Sequence, residues 1–304
     1  MAYITTSDLS ARLGATAFAL CAAFALTVLA ACGGGEQRQV IQNKGSDTLV
    51  NVAQAWAEEY QKVQPSVVVA VSGGGSGTGI AALINGTVDI ANASRQMKDK
   101  EIKMADERGH HPVEHIVGYD ALAVFLNSAN PIDKLSFAQL QEIFERGGKA
   151  TKWTDLGIEV PGCKNQQIVV VSRQNNSGTY VYFKDTVLGK KGKFRQGTLD
   201  MHGSKDVVDL VEKTPCAIGY SGLAYATSHL KMACISVNDS DACVIPSEET
   251  ASDRSYPIAR PLFMYTVGEP QGHIKEYLDW VMSDTGQCIL VSKGYAPARS
   301  VSCN

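Results

Sequence analysis

Residues 67–84 read VVVAVSGGGSGTGIAALI. Val67 to Val71 is a continuous apolar run, the pattern of a strand buried on both faces in a parallel sheet. Gly73, Gly74 and Gly75 then free the backbone to approach a ligand and turn its N–H groups inward, and an apolar helix around Ile80 to Ile84 follows. A strand passing through a glycine loop into a helix is the unit of an open α/β sheet. In such sheets ligands bind at the carboxyl ends of the strands. The loop lacks the G-x-G-x-x-G spacing of a dinucleotide site and the GK[ST] of a P-loop, so it is not a nucleotide cradle.

The same grammar recurs on both sides. Upstream, Val40 and Ile41 lead into GSDTL at 45–49, after which Leu49, Val52, Ala53, Trp56 and Tyr60 repeat at helical spacing. Taken alone, Ser46, Asp47 and Thr48 read as ordinary N-capping. Val88 to Ile90 is a short strand closed by Ala93-Ser94-Arg95, ahead of a charged helix ending near Gly109. Downstream, residues 171–180 read VSRQNNSGTY. A strand from Ile168 to Val171 runs into Arg173, and Ser177, Gly178 and Thr179 open a helix. A cation, hydroxyls and unpaired helix-terminal amides in one place suit a small tetrahedral oxyanion. The lesser, competing reading of this loop taken alone is an Arg in a surface ion pair beside an S-G-T cap. Three such junctions in one chain favour the anion site.

A second unit opens at Ala121 to Asn127, an apolar strand, and includes a helix from Phe137 to Phe144 and the Arg173 loop. Val160 to Lys164 and Asp239 to Pro246 read as irregular excursions, Pro261 to Val267 as a strand, Ile274 to Met282 as an amphipathic helix, and Lys293 to Pro297 as a turn. No internal repeat is visible.

The chain has 304 residues, is 44% hydrophobic and carries a formal charge of -3. That is enough material for one large or two ordinary domains. With no dense Lys/Arg block and 3 Trp for stacking, nucleic acid is excluded as a partner. Arg12 precedes an apolar run from Leu13 to Ala31 that ends in LAAC at 29–32. A basic start, an apolar middle and small residues before a cleavage point describe an export signal over 1–31; the alternative is a membrane anchor of roughly 20 apolar residues. LAAC resembles a bacterial lipobox, which implies cleavage before Cys32 and lipidation of its thiol. Each buried CH₂ of the acyl chains contributes about 0.8 kcal/mol to membrane attachment. Residues 32–39 then form a tether.

Six cysteines remain in the exported chain: Cys163, Cys216, Cys234, Cys243, Cys288 and Cys303. An even number in an oxidising compartment predicts disulfides. Proximity suggests Cys234 with Cys243 and Cys288 with Cys303, leaving Cys163 with Cys216. No C-x2-C spacing supports zinc, and His110, His111 and His115 around Pro112 read as a loop, so no metal is expected. Catalytic residues are not found either. Neither Ser76 nor Ser177 lies in G-x-S-x-G, and S-x-x-K at Ser228 to Lys231 lacks its companion motifs.

The order GSDTL, GGGSGTGIAALINGTVDIANASR, LSFAQLQEIFERGGKATKWTDLG, VSRQNNSGTYVYF, AIGYSGLAYA and YLDWVMSDTGQCILVSKGYAP resembles the phosphate-binding proteins of bacterial phosphate ABC transporters, the PstS family. The likeness spans almost the whole exported chain, and R-x-x-x-S-G-T is its most specific element. It implies a type II periplasmic-binding-protein fold: two α/β domains joined by a two-strand hinge around a central cleft. The expected division is 40–120 with 261–304 as domain I and 121–260 as domain II. The resemblance implies that inorganic phosphate is held by Thr48 and the N–H of Leu49, by Ser76, and by Arg173, Ser177, Gly178 and Thr179, with Ser94 and Arg95 beside them. Well-studied members carry an Asp after the short strand that accepts a proton from hydrogen phosphate; Ala93-Ser94-Arg95 stands there instead, and Asp47 is the candidate replacement. The expected protein is a non-catalytic, cofactor-free monomer, lipid-anchored on the periplasmic or extracellular face, delivering phosphate to an ABC permease. A receptor for sulfate or molybdate and a phosphoester hydrolase are the alternatives.

Overall fold

The computed structural model describes residues 38–303; the expected export signal, Cys32 and most of the tether lie outside them. The elements run β1 (Gln39–Gly45), α1 (Val50–Val63), β2 (Val67–Ser72), α2 (Ser76–Ile84), β3 (Ile90–Ala93), α3 (Asp99–Asp106), β4 (Pro112–Asn127), β5 (Lys134–Ser136) and α4 (Phe137–Phe144). There follow β6 (Val169–Arg173), α5 (Gly178–Phe183), β7 (Leu199–Met201), α6 (Ser204–Lys213), β8 (Ala217–Gly222), β9 (Leu230–Met232), β10 (Cys234–Ser236), α7 (Glu248–Ser252), β11 (Ala259–Val267), α8 (Gly272–Val281), α9 (Asp284–Ser292) and β12 (Ala296–Pro297).

The main sheet runs β2-β1-β3-β11-β4-β8-β6-β7, with β12 and β9 also paired to β4. β1 and β3 are parallel, as are β6 with β8 and with β7. β11 and β4 lie antiparallel in the middle. This is a mixed α/β arrangement, its two parallel halves joined through β4 and β11.

Local chemistry explains the element starts. Gly74 and Gly75 take φ of +113° and +88°, which side chains with a Cβ resist, and they turn the chain from β2 into α2. Ser136 opens α4 with a reciprocal cap: its hydroxyl accepts from Gln139 N at 3.2 Å while Gln139 Oε1 accepts from Ser136 N at 3.0 Å. Such caps contribute about 1 kcal/mol.

Apolar side chains divide along the central strands. Val117 of β4 and Leu262 of β11 belong to a core with Trp56, Tyr60, Val69, Tyr277 and Leu290. Ala121, Leu122 and Val124 of β4, with Ile258 just before β11, belong to another with Phe144, Trp153, Phe183 and Tyr220. Trp56 is fully buried and its Nε1 donates to the carbonyl of Gly286 at 2.7 Å, tying α1 to α9.

Disulfides join Cys234 to Cys243 and Cys288 to Cys303, the pairs that short loops suggested, and Cys163 to Cys216, the pair left over. The sequence reading differs from the structure at two places. Residues 112–127 form one strand, so Ala121 continues an element instead of opening one, and His115 sits within β4. Pro112 permits this because a first strand position has no ladder N–H to lose. Residues 296–297, read as the end of a turn, pair with Tyr119 and Gly118 of β4. Among the described residues no cluster of metal-ligating side chains occurs and no helix is long and apolar enough to cross a membrane.

Candidate functional site

Four loops leave the carboxyl ends of β1, β2, β3 and β6 and meet. Thr48, Ser76, Ser94, Arg173, Ser177 and Thr179 are all at most 2% exposed. Thr48 Oγ1 lies 3.0 Å from Thr179 Oγ1. Ser76 Oγ accepts from Ser94 N at 3.0 Å and sits 3.3 Å from Ser94 Oγ. Gly178 packs so closely on this pair that a Cβ there would lie 2.2 Å from Ser76 Oγ and 2.6 Å from Ser94 Oγ. Asn176 closes the ring: its carbonyl accepts from Gly77 N at 2.8 Å and its Nδ2 donates to the carbonyl of Gly74 at 2.9 Å.

Arg173 is anchored from three sides. Its Nε and Nη2 donate to the carbonyl of His202 at 3.2 and 2.7 Å, Nη1 to Ser204 Oγ at 3.0 Å, and Nη2 also to Asp47 Oδ2 at 2.8 Å. Burial depresses its guanidinium pKa and Asp47 pushes it back up; an arginine stays charged in either case. Asp47 is equally engaged, since Oδ1 accepts from Gly74 N at 2.8 Å. The Tyr225 hydroxyl donates to the carbonyl of Asp47 at 2.6 Å, and that of Tyr295 to the carbonyl of Thr48. Burial raises both phenols, which keeps them neutral donors at ordinary pH.

Thr48, Ser76, Arg173, Ser177, Gly178 and Thr179 therefore gather with Ser94 in one cluster. Two residues named beside them behave otherwise. Arg95 is engaged elsewhere: Nη1 and Nη2 pair with Glu101 of α3 at 2.8 and 2.7 Å, a carboxylate at the start of the next helix that takes both ends of the guanidinium fork. Burial raises the Glu101 carboxyl, but the bonds from Arg95 outweigh it and hold that pKa below its ordinary value. The N–H of Leu49 is taken by the carbonyl of Ser46 at 3.0 Å.

A second guanidinium, not anticipated from the sequence, lies behind Thr48. Arg260 of β11 is cross-strand partner of Asp120 of β4. Its Nε and Nη2 donate to Asp120 Oδ2 at 3.0 and 2.7 Å, Nη2 also to Thr48 Oγ1 at 3.2 Å, and Nη1 to the carbonyl of Ser94 at 3.2 Å. Both side chains are fully buried. Burial pushes the Asp120 carboxyl up and Arg260 pulls it back. The available signal was a charge inside each of two apolar strands, which a buried strand tolerates only when paired.

Cavities flank the cluster, one of 380 Å³ lined by Asp47, Gly74, Ser204 and Tyr225, the other of 400 Å³ lined by Arg95, Lys98, Tyr182 and Pro261. A larger cavity of 720 Å³, lined by Glu248, Glu249 and Lys293, contains none of the cluster's hydroxyls. Each cation at the cluster is matched by a carboxylate, so a bound anion meets dipoles and hydrogen-bond donors more than net charge. Hydroxyls that now partner one another can turn their hydrogens to an anionic acceptor without losing a buried bond.

A family model described as "PBP superfamily domain" matches residues 33–285. The chain is 35% identical over 268 residues to the phosphate-binding protein PstS of Pseudomonas aeruginosa strain PAO1, covering 84% of this chain and 82% of that protein. A Clostridium perfringens protein whose X-ray structure contains bound phosphate superposes with a TM-score of 0.75 at 27% identity, over 86% of this chain and 100% of the other. An ABC-type phosphate transport receptor from Vibrio cholerae gives 0.67 at 25% identity, over 84% and 99%.

Proposed function

This chain belongs to the PstS family of phosphate-binding proteins, within the PBP superfamily, and from that premise we propose that it captures inorganic phosphate in its interdomain cleft and delivers it to an ABC permease. The observation that carries the reading is the convergence of Arg173 with the Thr48, Ser76, Ser94 and Thr179 hydroxyls from four separate loops. Thr48, Ser76 and Ser94 stand on one side of the cleft and Arg173 to Thr179 on the other. Residues 40–120 and 261–304 form domain I and 121–260 domain II. The change of core between Val117 and Ala121 on β4, and between Ile258 and Leu262 at β11, supports that division. β4 and β11 are then the hinge. Phosphate biases closure to the extent that it prefers the closed state.

Lipid attachment at Cys32 holds the protein on the outer face of the membrane, and it acts as a monomer. It binds without turnover. Equilibrium dialysis with radiolabelled phosphate is expected to show uptake of one phosphate per chain, competed weakly by sulfate, with no phosphate released from an aryl phosphate ester. Sulfate displacing phosphate equally well would make this a general oxyanion receptor; ester hydrolysis would make it an enzyme.

Asp47 is the selectivity candidate. Its oxygens accept from Gly74 and Arg173, and each carboxylate oxygen keeps a further lone pair for a P–OH. Sulfate is fully ionised at neutral pH and has no proton to offer. In a competition titration, Asp47→Asn is expected to move the phosphate-to-sulfate ratio toward sulfate by about fivefold, near 1 kcal/mol. An unchanged ratio would leave Asp47 only the task of orienting Arg173.

A further inference from the structure

We propose that Arg260 is a second cation of the phosphate site, a positioning residue that acts through the Thr48 hydroxyl, with Asp120 as its buried counter-charge. The assignment rests on the phosphate-binding reading above. It begins from an energetic oddity. A fully buried ion pair is weak evidence for stability, because well-packed apolar residues of the same volume often do as well or better. This pair lies in the sheet centre, between two apolar cores, so a purely structural role is poorly served by it.

What the pair does have is connections. Arg260 sits on β11 and bonds Asp120 on β4, the Ser94 carbonyl after β3 and Thr48 after β1. Its guanidinium also lies 5.7 Å from the ring centroid of Tyr182 on α5, which limits its swing. The bond to Thr48 has a definite polarity, since a guanidinium only donates. Thr48 Oγ1 must accept from Arg260, which fills one of its two lone pairs and leaves its own hydrogen available for Thr179 Oγ1, 3.0 Å away, or for an anion oxygen in that position. Arg260 thus biases Thr48 toward donating and polarises its O–H, as bonds in a chain do. The bond to the Ser94 carbonyl steadies the segment whose N–H meets Ser76 Oγ. Asp120 holds Arg260 in place while keeping the net charge near zero.

Calorimetric titration of phosphate into the full chain tests this through a double-mutant cycle. Arg260→Gln combined with Asp120→Asn removes both charges without stranding one. It is expected to weaken binding about tenfold, the low end for losing a charge-assisted bond. In a Thr48→Val background the same pair of changes is expected to cost less than about twofold, because the hydroxyl it acts through is gone. Losses that multiply independently, or wild-type affinity in the neutral-pair variant, would overturn the assignment. Should the neutral pair fail to fold, Arg260→Lys decides. An ammonium keeps the charge on Asp120 but cannot reach Thr48 and the Ser94 carbonyl together, so a folded Lys variant with wild-type affinity also overturns it. Absence of phosphate binding by the wild-type chain would instead sink the functional reading itself.

Discussion

Arg173→Ala is expected to weaken phosphate binding by about a hundredfold or more, roughly 3 kcal/mol. Two losses add. The guanidinium, 1% exposed and held by His202, Ser204 and Asp47, presents a preset donor surface that a small side chain cannot replace. Removing it also strips Asp47 of its partner and leaves a carboxylate facing the incoming anion. Breaking a buried pair from one end costs about 3–5 kcal/mol of stability, so the melting temperature is measured alongside affinity. Arg173→Lys separates charge from geometry. It keeps the cation but cannot satisfy the His202 carbonyl, Ser204 Oγ and Asp47 at once, and is expected to recover only part of the loss. Affinity within threefold of wild type in Arg173→Ala, by calorimetry, would remove Arg173 from the site.

Gly178→Ala is expected to weaken phosphate binding by roughly thirtyfold to a hundredfold, about 2–3 kcal/mol, through one methyl group. The added carbon would stand 2.2 Å from Ser76 Oγ, 2.6 Å from Ser94 Oγ and 2.9 Å from Ser76 Cβ. Rotating the serine side chains moves the two hydroxyls only by breaking their bonds to each other, and it does not move Ser76 Cβ, so the Arg173 loop must back away from the serines. The 3.0 Å contact between the Thr48 and Thr179 hydroxyls has no slack for that retreat. The methyl therefore acts as a wedge in the cleft and opposes closure while leaving the two apolar cores untouched. Thermal stability without phosphate should change little, whereas the stabilisation that added phosphate produces should largely vanish. A variant that closes and binds like wild type, by small-angle scattering and calorimetry, would show that the cleft tolerates the methyl and that the close packing is incidental.

The junctions were legible because their causes lie within a few residues. Consecutive glycines permit positive φ, a serine hydroxyl caps the next turn, and an apolar run before them makes the strand. The helix Phe137–Phe144 was read to its last residue for the same reason, its start being written in Ser136 and Gln139. Cysteine pairing followed from short loops at 234–243 and 288–303. Arg95 shows where the family resemblance stops: it implied a Ser-Arg pair beside the site, and the structure pairs the arginine with Glu101. The central strand β4 shows another limit. Its mixed first half, with Pro112, Glu114 and His115 among its apolar residues, hides a strand that becomes continuously apolar only where it enters the second core.

By itself the sequence determined the supply of chemistry: an α/β chain with glycine-freed loops, hydroxyls and an arginine at strand ends, and cysteines set to pair. Local φ preference, capping and hydrophobic period are short-range properties and survive in one dimension. Only the tertiary structure decided which cations face the cleft, since Arg260 reaches Asp120 across 140 residues through strand register, and register is fixed by two cores packing at once. Thr48 gained its second partner that way, from a strand whose local sequence shows a charge in need of a pair but not which residues it meets.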